Sequence, residues 1–139
     1  MKIKLYRAYS IFTIRIFLAS VFTIAAVGKL SNSEAFIQRV NSYSTNLYGV
    51  TFLLPYVELF IGLTIMLGLC LKSGALASIM LSLMFLATHL IDLFREEYAN
   101  CGCFGEIIEI NRALSVTIDL AILISGIILY SLLSDISSS

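Results

Sequence analysis

The sequence predicts an all-α integral membrane protein, a four-helix bundle with both termini cytoplasmic and a short amphipathic interfacial helix between spans one and two. Three observations predict it. Of the 139 residues, 59% are hydrophobic and 13% charged, and mean hydropathy is +0.96. Soluble domains run near 45–50% apolar and about 25% charged, so lipid must solvate much of this surface. Four segments each hold about 20 mostly apolar residues, the length a helix needs to cross the hydrocarbon core. Basic residues, finally, gather on one side of the spans those segments define. Formal net charge is zero and no basic run follows the N-terminus, so nucleic acid is not an expected partner.

The chain reads as one domain, residues 1–139, with spans at about 9–30, 51–71, 74–94 and 113–133. The first span has the basic start of a signal peptide in Lys2 and Lys4. Its apolar stretch is longer than an h-region of about 7–15 residues and contains Arg15, so an uncleaved span is expected. Residues 31–50 are too polar to cross. Phe36, Ile37, Val40, Tyr43, Leu47 and Tyr48 recur there at near-helical spacing, after Ser33 and Glu34 as a start signal, which gives the interfacial helix. Lys72 falls in the short turn between the second and third spans. The third loop, 95–112, sets Arg95 and Arg112 against Glu96, Glu97, Glu106 and Glu109. With Lys2, Lys4, Arg7 and Lys72 on the cytoplasmic side, the segments 31–50 and 95–112 are expected outside. The Ser-rich stretch 134–139 reads as a frayed tail, and no internal repeat stands out.

Ionisable side chains inside apolar spans are costly and mark a partner or a pathway. Arg15, Lys29, Glu58, His89, Asp92 and Asp119 lie in or at the edge of the spans. Helix rise places all but Arg15 in the outer half, Glu58 and Asp119 about 10 Å in. His89 and Asp92 are i,i+3 and share a face. Glu58 shares a face with Gly62, where the missing side chain lets helices approach closely. Arg15, Phe22 and Lys29 repeat at seven residues and line one side of span one. Two readings follow. Either buried ion pairs, Lys29 with Glu58 or Asp92, fix the registry of the bundle, or the groups line a polar pocket open to the outer face.

Cys101-Gly102-Cys103-Phe104-Gly105 carries the sharpest chemistry. Two thiols one residue apart close a small strained ring, and strain makes a disulfide easier to reduce and more reactive. Gly102 supplies the backbone freedom such a ring needs. Three readings compete: a redox-active dithiol, a metal site with His89, and a structural disulfide. Two Cys and one His fall short of the four ligands of structural zinc, and no metal is expected. The remaining cysteine, Cys70, lies at the far end of span two, some 25–30 Å away by helix rise, and reads as a small apolar residue of the bundle.

Arg15, Phe22, Gly28-Lys29-Leu30, Phe36, Pro55-Tyr56-Val57-Glu58-Leu59, Gly62 and the Cys-Gly-Cys-Phe-Gly element follow the pattern of the MauE family, the methylamine-utilisation membrane proteins within the wider DoxX-like group. The chain resembles that family from about residue 9 to 133. The resemblance implies a four-helix membrane fold that works beside an extracytoplasmic thioredoxin-like partner in disulfide formation. It makes Cys101 and Cys103 the candidate redox pair, with Arg15, Lys29 and Glu58 at the family's intramembrane polar positions.

The expected function is a membrane thiol–disulfide redox protein or its accessory subunit, in the cytoplasmic (inner) membrane, with the Cys-Gly-Cys loop on the outer, periplasmic side. No cofactor is encoded by a motif; a quinone in the outer leaflet is a candidate electron acceptor by fold-level analogy. Glu58, His89, Asp92 and Asp119 would manage protons. The alternatives are a non-catalytic anchor or assembly subunit with a structural Cys-x-Cys, and a component of small-molecule or metal transport. No motif specifies an oligomeric state.

Overall fold

A computed structural model of the chain describes residues 2–31, 33–34, 36–37, 48–95 and 112–137. Four helices follow one another: α1 (Lys2–Ser31), α2 (Tyr48–Leu67), α3 (Leu71–Arg95) and α4 (Arg112–Ser137). Among the described residues only the turn 68–70 is not helical. The stretches Tyr6–Ser31, Leu71–Ile91 and Ala113–Asp135 are each long and apolar enough to cross a membrane. The apolar part of α2, Phe52–Leu67, is shorter. The whole 20-residue helix nonetheless measures about 30 Å, the thickness of the hydrocarbon core.

Contacts between helices set an up-down-up-down order. Arg7, near the start of α1, donates from Nη2 to the Leu132 carbonyl oxygen (2.8 Å) and to Asp135 Oδ2 (3.1 Å), both near the end of α4. Arg15 reaches the end of α2, and the turn 68–70 joins that end to the start of α3. One end of the bundle therefore holds the start of α1, the 68–70 turn and the end of α4. The opposite end carries the segments that join α1 to α2 and α3 to α4. Packing is closest within two hairpins, α1 with α2 and α3 with α4.

The radial pattern is that of a protein in lipid. Phe12, Phe60, Met66, Met80, Ile124 and Ile127 are exposed, whereas Lys29, Glu58, Ser78, Ser82, His89, Ser115 and Asp119 are buried. Burying this many polar groups while facing apolar side chains outward would be unfavourable in water. In lipid it is the favourable arrangement, because the polar groups satisfy one another inside the bundle. The apolar core proper, Leu18, Phe22, Ile61, Ile65, Ala75, Ile122 and Leu129, lies nearer the end that holds the termini.

Helix α2 ends in a Schellman motif. Gly68 takes a left-handed φ of 78°, and its N–H donates to the Ile65 carbonyl (3.2 Å) while Leu69 N–H donates to the Thr64 carbonyl (3.0 Å). Arg15 closes the same helix end: Nε donates to the Ile65 carbonyl (3.1 Å) and Nη2 to the Met66 carbonyl (3.0 Å). Exposed helix-terminal carbonyls in an apolar medium are costly, which explains a guanidinium at this depth in α1. The left-handed turn also corrects two expectations. Cys70 is exposed at φ 48° in the turn, not an apolar residue packed in the bundle. Its carbonyl accepts from Gly74 N–H (3.0 Å) and starts α3, so Lys72 sits in the first helical turn rather than in the connection. Tyr48, expected in the interfacial helix, opens α2. Residues 33–34 and 36–37 of that segment are helical; the rest of it lies outside the described residues.

The expected close approach at Gly62 is present. A Cβ there would stand 3.2 Å from Thr23 Oγ1, 3.3 Å from the Ala19 carbonyl oxygen and 3.3 Å from Phe22 Cβ. Gly62→Leu is expected to force α1 and α2 apart and to destabilise the bundle by about 1–3 kcal/mol, the range for overpacking. Reversible unfolding in detergent micelles measures this, and an unchanged midpoint would show that the two helices do not meet at this level.

Candidate functional site: a buried polar tetrad

Each helix contributes one ionisable side chain to the bundle interior. Lys29 comes from α1, Glu58 from α2, His89 from α3 and Asp119 from α4, with exposures of 1%, 0%, 2% and 2%. They form two pairs, one in each hairpin. Lys29 Nζ donates to Glu58 Oε1 at 2.6 Å and to Oε2 at 2.8 Å. His89 Nε2 lies 2.9 Å from Asp119 Oδ2. The partners are 29 residues apart in the first hairpin and 30 in the second, so the two hairpins repeat one device: a nitrogen base late in the first helix and a carboxylate early in the second.

Phe85 and Phe36 bring the pairs into one site. The Lys29 ammonium lies 4.9 Å from the centroid of Phe85, on α3, and 5.8 Å from that of Phe36. Both are cation–π distances, and the first ties one hairpin to the other. Glu58 and Asp119 are within electrostatic reach of each other, so the pairs share a field. Ser82 on α3 donates to the Asp119 backbone carbonyl at 2.6 Å, which holds α4 at the depth where Asp119 meets His89.

A helical reason places each group. On α3, Ser78, Ser82, Phe85 and His89 follow 4, 3 and 4 residues apart and form one face. On α4, Ser115, Asp119, Ile122, Gly126 and Leu129 do the same, and all five are buried. Lys29 lies on the stripe that Phe22 continues. The Arg15 repeat belongs to that stripe as well, but Arg15 serves the far end of α2 and is not part of the site.

The ion-pair reading is therefore met by Lys29 with Glu58, in bidentate form. Sequence spacing set His89 beside Asp92; the structure pairs it with Asp119 across the hairpin. Asp92 is in α3, and its side chain lies outside the described part of the structure. Cys101 and Cys103 also lie outside the described residues. Their segment is nevertheless fixed at both ends, since it joins Arg95 of α3 to Arg112 of α4. His89 and Asp119 lie about 9 and 10 Å along those helices from the junctions.

Two participants were missed from the sequence, Ser115 and Phe85. Ser115 is 1% exposed, four residues before Asp119, and its Oγ has no hydrogen-bond partner. The i,i+4 spacing to Asp119 was the signal that could have found it.

Among known proteins, the model of one family, described as methylamine utilisation protein MauE, matches residues 7–133. No curated protein and no solved structure gave a significant match.

Proposed function

The chain belongs to the MauE family, a family of methylamine-utilisation membrane proteins, and from that premise we propose that it is a thiol–disulfide redox protein or the accessory subunit of one. Cys101 and Cys103 exchange disulfides with an extracytoplasmic thioredoxin-like protein. One thiolate attacks the partner's disulfide and the second resolves the mixed disulfide, so that one disulfide and two thiols are present before and after. The observation that carries this reading is the tether. The segment with the two thiols joins the two helices that bear the His89–Asp119 pair, and buried ionisable groups beneath a reactive dithiol are groups that handle protons.

The side of the membrane follows from charge. Arg7, Arg15 and Lys72 all belong to the half of the bundle with the chain termini. Basic residues favour the cytoplasmic side, so the Cys-Gly-Cys segment faces outward from the cytoplasmic membrane.

Cysteine substitution tests the reading. Cys101→Ser and Cys103→Ser are each expected to abolish exchange with a thioredoxin-like disulfide, and one of the two is expected to accumulate a mixed disulfide that reductant releases. Full exchange in both single variants would sink the proposal. In intact cells an impermeant thiol reagent is expected to label the pair only after mild reduction. Resistance to mild reductant would favour a structural disulfide and an anchoring role, and labelling only after lysis would reverse the topology.

A further inference from the structure

Ser115 is the one buried hydroxyl in the described seam that no protein group uses. Ser78 donates to the Ala75 carbonyl and Ser82 to that of Asp119. Leaving a buried hydroxyl unbonded costs about 1–3 kcal/mol, and such groups in native interiors mark a ligand or ordered water. Ser115 shares its helix face with Asp119, and the seam it faces holds three further polar features. An ammonium carries three donors, of which two on Lys29 are committed to Glu58. Aromatic rings of Phe85 and Phe36 flank that ammonium. The His89–Asp119 pair can carry or release a proton between its 2.9 Å atoms.

We infer that Ser115, Lys29 and the His89–Asp119 pair form a binding site for the headgroup of a lipid-soluble quinone, which accepts the electrons of the Cys101–Cys103 dithiol. The inference rests on the redox reading above and names its electron acceptor. Four features select the class. The site is enclosed by helices whose outer faces are apolar, so its ligand arrives through lipid. Its uncommitted groups include O–H and N–H donors, so the ligand presents acceptor oxygens. Aromatic rings beside the ammonium favour a flat ring. A dithiol that becomes a disulfide gives up two electrons and two protons, so the acceptor must take both. A cyclic dicarbonyl that becomes a hydroquinone meets all four conditions. The balance is closed: two S–H bonds break, one S–S bond forms, and each quinone oxygen gains one O–H.

His89 is the single histidine of the chain, so a histidine-specific 15N label reports on this site alone. The test uses the full chain in lipid nanodiscs, titrated with a short-chain ubiquinone. A saturable shift of the His89 ring nitrogens is expected in the wild type and equally in the Cys101→Ser/Cys103→Ser double variant. Ser115→Ala removes a hydroxyl that bonds nothing in the protein, so it should fold normally; it is expected to weaken quinone binding about three- to tenfold, the worth of one hydrogen bond. Without oxygen, the reduced wild type is expected to consume one quinone for every two thiols lost. Absence of a saturable shift overturns the site, while exchange with a small disulfide in the same sample judges the redox reading separately. Unchanged affinity in Ser115→Ala overturns the placement of the headgroup. A shift without loss of thiols overturns the acceptor role.

Discussion

Glu58→Leu with Lys29 retained is expected to cost the bundle about 3–5 kcal/mol, the penalty for removing one partner of a buried ion pair. The ammonium would remain at 1% exposure with both its carboxylate bonds lost, and the rings of Phe85 and Phe36 cannot replace a charge-assisted bidentate contact. Lys29→Met is expected to be similarly damaging for the mirror reason, an orphaned carboxylate with no exposure. The double variant Lys29→Met/Glu58→Leu is expected to recover most of the loss, because exchanging a buried pair for apolar groups of similar volume is often neutral or stabilising. Reversible unfolding in lipid or mild detergent gives all three values and the coupling energy from one cycle. Two harmless single variants would contradict the burial of the pair. A double variant that is stable but inactive would show that the charges serve chemistry beyond holding the fold.

Asp119→Leu is expected to do less harm, about 1–3 kcal/mol, the cost of an unsatisfied buried polar group. An imidazole can be neutral, so losing Asp119 does not oblige His89 to bury a charge. The Ser82 bond goes to the backbone carbonyl of residue 119 and survives the substitution. The consequence expected to be large is functional: with no carboxylate to exchange a proton with His89, turnover of the thiols is expected to fall by at least about tenfold, in the lower range for losing a proton-transfer group. The two readouts separate the roles. A variant that unfolds easily yet turns over normally would make the pair a structural clamp alone. One that folds well and turns over slowly would make it part of the chemistry.

The two pairs also explain how a bundle with little polar surface settles on one arrangement. Apolar helices in lipid slide and rotate against each other at low cost, since lipid tails are as apolar as leucine. A buried donor–acceptor pair that must be matched in depth and rotation removes that freedom. Each hairpin carries one such pair, and the Phe85 contact with Lys29 sets the hairpins against each other. Arg15 on the α2 carbonyls and Arg7 on the Leu132 carbonyl perform the same service at the other end.

Sequence alone determined the solvent, the four helices, the resemblance that family comparison bears out, and the identity of every charged residue in the tetrad. These are consequences of composition and of helical period, and they need no knowledge of which helix touches which. Lys29, Glu58, His89 and Asp119 were all legible as candidates because an ionisable side chain among apolar neighbours stands out in any context. Their pairing was not. Spacing along one helix favoured His89 with Asp92, whereas the three-dimensional packing of α3 on α4 gave it Asp119. The left-handed turn at Gly68 that exposes Cys70, the use of Arg15 as a cap, and the unpartnered Ser115 were likewise decided only by tertiary structure. Each depends on the rotation of one helix against another, and a periodic apolar pattern specifies a buried face without specifying which neighbour buries it.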